Sequence, residues 1–217
     1  MRGCESGAIE YDITLADPTN NFVGAVSANG LNIDLADGTG GITLGNTTAA
    51  GTLTVTSLAG VIRQAANTAV SVAGASSLTA DNGLTGASKR RYAVTLSQAG
   101  DSFDGTVTAD GTAITLKDET ALTAIVDSSG ATSLTAAGAL NVSGTIGTTL
   151  TTVTTGGTGS TTTFGTTTVG TSLDVTSTGA VTETSSNILT VAGAGTTTAP
   201  NPNVCVNKTC DVEIPAP

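Results

Sequence analysis

Apolar residues alternate with polar ones in short bursts along this chain. Ile13 and Leu15 flank a threonine, Ile33 and Leu35 an aspartate, and Leu53 and Val55 a threonine. The same apolar-polar-apolar pattern returns at Val94/Leu96, Ile114/Leu116 and Leu173/Val175. Alternation over so few residues marks a strand with one buried face. Successive pairs within a block stand 20 residues apart, and further apolar positions follow each pair about ten residues later, as at Val23/Val26 and Ile42/Leu44. A period of about 20 residues holding two or three short strands belongs to a parallel β-solenoid. A sandwich also places strands every ~8 to 12 residues, but it imposes no fixed long period with matching residues. The expectation is an all-β chain wound as a parallel β-helix, with the residues of these six pairs pointing inward and stacked in ladders.

A longer repeat contains the short one. The stretch Tyr11 to Leu35 recurs without a gap as Tyr92 to Leu116, 81 residues later. Tyr11 falls on Tyr92, Phe22 on Phe103, Gly24 on Gly105 and Gly30 on Gly111. Such a correspondence means construction by duplication. Phe22 and Phe103 are accordingly expected at equivalent corners, each buried against the next turn. A fainter echo relates 51–74 to 171–193, with Gln64 opposite Glu183. The expected organisation is a lead over 1–10, a rod over 11–198 and a Pro-rich tail over 199–217. The rod divides into copies at 11–91 and 92–172, with 173–198 following. Residues 81–91, which hold Lys89, Arg90 and Arg91, interrupt the winding. They read as a solvated loop between copies, with a protease-sensitive or ligand-docking loop as the alternative. The Thr- and Gly-rich tract 145–171 contains no proline and reads as strands and turns.

Composition narrows the function classes. The chain has 217 residues and is 38% hydrophobic, yet it holds no Trp and one Met. A narrow solenoid interior of Val, Ile, Leu and Ala suits that scarcity of large side chains better than a globular core does. A formal charge of −10 argues against nucleic acid and anionic membrane surfaces as partners. No apolar stretch approaches the length of a membrane span. The absence of His removes the commonest general base and metal ligand. Asp17, Asp37, Asp81, Asp101 and Asp110 fall where turns are expected. Asp101 and Asp104 flank Phe103 as a candidate acid pair for polysaccharide cleavage, but Asn20 and Val23 occupy the matching positions of the first copy. The expectation is a chain that is not an enzyme and uses no cofactor or metal. Sequons stand at Asn46, Asn141 and Asn207 in a chain rich enough in Thr to produce them by accident.

The segments DITLADPTNNFVGAVSANGLNIDL (12–35) and LTVTSLAGVIRQ (53–64) resemble the repeats of filamentous-haemagglutinin-type exoproteins. These are large bacterial adhesins secreted by the two-partner route. The resemblance covers roughly 11–195 and implies a right-handed β-helix, extracellular or on the cell surface. The leading function is then a structural rod or stalk of a secreted adhesin or extracellular fibre. MRGCESG is no secretory signal, and the family's secretion domain has no counterpart, so a fragment of a longer exoprotein is expected. In an extracellular chain thiols oxidise, and Cys205 and Cys210 are expected as a disulfide, leaving Cys4 for an intermolecular link. By the same resemblance, the tail is a candidate contact with an outer-membrane secretion partner. A solenoid exposes backbone edges at its ends, so the other expected partners are a further copy joined end to end or flanking segments of a precursor. Two other functions stay open. One is a binding module that presents Thr-x-Thr ladders, such as Thr52/Thr54/Thr56, to ice or glycan; the other, weaker, is a polysaccharide-acting enzyme.

Overall fold

The computed structural model describes residues 11–200. Short strands follow one another from Ile13–Leu15 to Gly195–Thr198, with a single 3-10 turn at Gly86–Ser88. All the strand pairings are parallel. They build a 10-stranded sheet that begins at Ile13–Leu15 and an 11-stranded sheet that includes Ala25–Gly30 and Ile42–Ala49, here the first and second sheets. The chain crosses from one to the other and back, so each coil lays a rung on both. The fold is a parallel β-solenoid.

The alternation of the sequence is the alternation of the coil. In Leu53–Ser57, Ile114–Asp118 and Thr132–Ala136 every second side chain is buried and the ones between face outward. Inward residues stack in register, Ile13 on Ile33 on Leu53 and Leu96 on Leu116 on Leu134. Ile33, Leu35, Leu53, Val55, Val94, Leu96, Ile114, Leu116, Leu173 and Val175 all lie in one continuous core. Leu15 departs from the expected set, because it is 45% exposed. Ile13 and Phe22 are only half-buried, whereas Phe103 is sealed. The reason is position: among the described residues Ile13–Leu15 has a strand on one side alone, so none of them gives its side chains the covering coil that Leu96 has.

Coil length varies while strand register persists. Twenty residues separate the paired Asn32 and Thr52, but 18 separate Asn141 from Thr123 and 31 separate Val70 from Asp101. Excess residues leave the coil as loops, at 65–69, 81–91 and 97–101. The cross-section tolerates this because strand pairing and ladder contacts are made only by the residues that remain in the rungs.

The duplication has a geometric consequence. Ile13–Leu15 and Ile33–Asp37 belong to the first sheet, but their counterparts Val94–Leu96 and Ile114–Asp118 belong to the second. Ala25–Gly30 lies in the second sheet and Val107–Gly111 in the first. The repeat is displaced by an odd number of half-coils, so each copy meets the opposite face. The fainter echo behaves alike: Ile62–Gln64 and Val70–Val72 are in the second sheet, Val181–Glu183 and Leu189–Val191 in the first. Local bonds survive the exchange. Leu31 N–H donates to Tyr11 C=O at 2.9 Å and Thr112 N–H to Tyr92 C=O at 2.8 Å. Asn67 and Ser186, equivalent in the echo, both hold positive φ, at 58° and 74°. Either side of the coil can therefore seat the same sequence.

Candidate functional site

The turn carboxylates are spent on the backbone. Asp37 accepts N–H bonds from Phe22 at 2.6 Å and from Thr39 and Gly40 at 2.9 Å each. Gly41 adds a fourth at 3.2 Å. Burial pushes this carboxyl up, but the four N–H donors outweigh it and hold the pKa below its ordinary value. The counterpart Asp118 likewise takes Phe103 N–H at 2.8 Å and Thr120 N–H at 2.6 Å. Both residues close a corner of the coil. Asp17, fully exposed, is held down by the Thr19 hydroxyl and N–H.

Asp101 is fully buried and joins two protruding loops. It accepts from Gln64 Nε2 at 2.6 Å, Val70 N–H at 2.9 Å and Gln98 N–H at 3.1 Å. Burial dominates here and raises its pKa above the ordinary value despite these donors. Asp104 is exposed and shares none of those partners. The candidate acid pair thus consists of one carboxylate enclosed between loops and one in solvent, with no common cleft.

The loop 81–91 is tied down at its base. Tyr92 N–H donates to Ala80 C=O at 2.7 Å and Asn82 N–H to Arg90 C=O at 2.9 Å. Lys89 Nζ lies 2.9 Å from both Asp81 and Asp110, while Arg91 joins Asp110 to Asp127. Asp81 is pushed up by burial, but the Lys89 hydrogen bond and the Gly83 N–H bring it below its usual value. Two of the loop's three cations therefore brace neighbouring coils, and Arg90 and Leu84 remain exposed.

The outward face of the second sheet carries one polar residue per coil in a column. Thr43, Arg63, Thr95, Thr115, Ser133, Thr151, Asp174 and Thr196 follow one another in register. Arg63 Nε donates to Thr43 Oγ1 at 2.9 Å within it. Shallow hollows lie beside Phe22, Val23 and Arg63, and on the first sheet among Thr123, Asn141, Ser143 and Thr163. Among the described residues no group of three or more Asp, Glu, Cys or His could hold a metal ion, and no helix is long and apolar enough to cross a membrane. Asn46 and Asn141 are exposed. Cys4, Cys205, Cys210 and Asn207 lie outside the described residues.

Two structural residues and one contact escaped sequence reasoning. Phe164 is fully buried on the Val142 rung, inside the Thr-rich tract where no alternation stood out. Asp118 could have been found, because it falls on Asp37 under the same 81-residue shift. The Gln64–Asp101 contact carried no local signal.

Residues 30–110 match a family described as "Repeats of unknown function (DUF5649)". No curated protein and no solved structure matches the chain. The family match points to repeats, and the fold that carries them is a β-solenoid.

Proposed function

We propose that the chain is a structural rod: a stalk or spacer segment of a secreted bacterial adhesin or extracellular fibre, of filamentous-haemagglutinin type. The observation that carries this reading is the unbroken stacking of both sheets from Ile13 to Thr198. A solenoid whose coils touch only their neighbours turns chain length directly into reach. The described carboxylates Asp37, Asp101 and Asp118, each accepting three or more hydrogen bonds, serve corners and loops, which suits a load-carrying element. An outer-membrane secretion partner belongs to the same proposal. Small-angle scattering of the isolated chain tests the shape. With coils ~4.8 Å apart, the monomer should be a rod on the order of 45 Å long, and a compact isotropic particle would overturn it. Antibody labelling of intact producing cells tests the location; label seen only after permeabilisation would remove the extracellular assignment.

The outward column on the second sheet favours a second reading, a binding module. Thr95, Thr115, Ser133 and Thr151 present hydroxyls one per coil at the regular spacing of a parallel sheet. Arg63 and Asp174 break the series. Thermal hysteresis would support ice as the ligand, and retention on insoluble glycan would support sugar; inactivity in both assays leaves the rod reading alone.

A further inference from the structure

The molecule contains one internal joint where the end of one repeated unit meets the start of the next. Ile62–Gln64 and Ser76–Ala80 stack against Val94–Leu96 and Val107–Gly111, in the registers Ile62 to Val94 and Leu78 to Ala109. One side of this joint, 92–111, is the counterpart of 11–30, which forms one end of the described rod. The other side, 62–80, is the counterpart of 181–199, which forms the opposite end. The two ends of the rod thus repeat the two halves of a joint that the chain already makes once. The faces agree too: Ile13–Leu15 and Val181–Glu183 share the first sheet, Ala25–Gly30 and Gly195–Thr198 the second.

We propose that copies of this chain join head to tail, with 181–199 of one copy stacking on 11–30 of the next in the register of the internal joint. The proposal deepens the rod reading, on which it rests, by naming a second copy as the partner. Val181 pairs with Ile13 and Thr197 with Ala28. Val181 N–H donates to Asp12 C=O, as Ile62 N–H donates to Ala93 C=O at 2.9 Å inside the molecule. Both sheets then run on through the junction.

Three independent features point to this occupant. The first is exposure. Leu15 is 45% exposed and Leu96, its counterpart, 0%; Phe22 is half-buried and Phe103 sealed. The residues match, and what differs among the described residues is the covering coil.

The second feature is Gly24. A Cβ added there would meet nothing within 4 Å, and its φ is not left-handed, so a single copy gives this position no reason to be glycine. A Cβ on the counterpart Gly105 would collide with the backbone of Gly74 in the coil beneath. Gly74 in turn corresponds to Gly193. Gly193 is already needed inside one copy, where a Cβ would collide with the Thr171 carbonyl, but Gly24 is required only if the ends meet.

The third feature is hydrogen-bond complementarity. At the internal joint the Gln64 amide donates to the Asp101 carboxylate at 2.6 Å. The corresponding end residues are Glu183 and Asn20. Amide and carboxylate have exchanged sides, which preserves one donor facing one acceptor. An aspartate at 20 would instead set two carboxylates against each other. Asn20 now turns its Nδ2 to Leu15 C=O at 2.9 Å, and Glu183 is exposed.

Sedimentation velocity and electron microscopy of the full chain under reductant, across a wide concentration range, test the joint. Linear oligomers that lengthen with concentration are expected. Gly24→Val should keep the monomer's circular dichroism and melting while weakening association on the order of ten-fold or more. Asn20→Asp should weaken it at neutral pH, and adding Glu183→Gln should restore it by recreating the internal Gln64–Asp101 pair in its own order. A monomer at every concentration would overturn the joint; a monomer that still scatters as a rod leaves the structural reading intact. Association unchanged by Gly24→Val, or a double variant no better than Asn20→Asp, would overturn it as well.

Discussion

Phe22 and Phe103 occupy the same place in the two copies, and each donates its N–H to an aspartate 15 residues on. They differ in cover alone. Phe103→Ala should cost about 3 kcal/mol or more, as for a fully enclosed ring. Phe22→Ala should cost less, since its ring packs against the core but is only partly covered. Urea unfolding of both variants measures the difference, and equal losses would refute the role given to the covering coil. A buried hydroxyl makes the opposite case. Thr152 stands between Leu134 and Val175 in its ladder, and its Oγ1 has no hydrogen-bond partner. Removing such a group at nearly constant shape relieves its desolvation cost. Thr152→Val should stabilise the fold by about 1 kcal/mol in the same assay.

The two classes of buried carboxylate should be separable by pH. Asp101 has its folded pKa raised by burial, so its contribution to stability is full below the unfolded pKa and is lost as pH rises through the folded one. Asp37 has its folded pKa lowered by backbone donors, so its contribution is present above the unfolded pKa and is lost as pH falls through the folded one. Asp101→Asn should therefore gain on the wild type as pH rises from strongly acid to neutral, while Asp37→Asn should lose ground over the same interval. Denaturation curves at pH 3 and pH 7 decide this, and two differences that move in the same direction would contradict the assignment.

At the scale of the element, the rungs were legible in the sequence and their partners were not. Ile33, Leu35, Leu53 and Val55 announce buried strands because alternation with period two is a local property. Leu15 carries the same signal and is exposed, because its cover must come from another coil. Assignment to a sheet was hidden for a related reason. Both sheets demand the same inward alternation, so nothing in Val94–Leu96 distinguishes it from Ile13–Leu15. Bonds such as Gln64 to Asp101 join residues 37 apart, through loops whose lengths differ, and no pattern within either loop foretells the other. The loop 81–91 was recognisable from its turn residues and charges, but its bracing by Asp110 and Asp127 required the stacked coils. That bracing sets an expectation for proteolysis. Lys89 and Arg91 are engaged in ion pairs, and Arg90 is exposed. Limited trypsin digestion should cut first after Arg90 and leave the two halves associated through the parallel pairing of 76–79 with 107–110. Initial cleavage at Arg63 or Lys117 instead would show that the loop is better protected than its geometry implies.

At the scale of the whole molecule, stability in a solenoid is the sum of coil and interface terms, and a coil with one neighbour lacks half its interface. Protection against hydrogen exchange should therefore follow position along the rod more closely than residue type. The rungs in Val107–Thr154 have coils on both sides, and the ladder through Leu122, Leu140 and Thr162 is fully buried. Their amides should exchange most slowly. Amides in 13–30, where Leu15 and Val23 are exposed, should exchange fastest at dilution. Leu15 and Leu96 make the sharpest comparison, because the residue is the same in nearly the same strand, ITL against VTL, and among the described residues only the second has a coil on both sides. Residues 94–96 should be protected at least on the order of a hundred-fold more than 13–15, the factor produced by about 3 kcal/mol of additional opening energy. Raising the concentration should then slow exchange in 13–30 and 181–198 together and leave the centre unchanged, since only the ends acquire new neighbours. Uniform protection from 13 to 198 in a dilute sample would instead mean that the rod opens as one cooperative unit, and the coil-by-coil account of its stability would have to be abandoned.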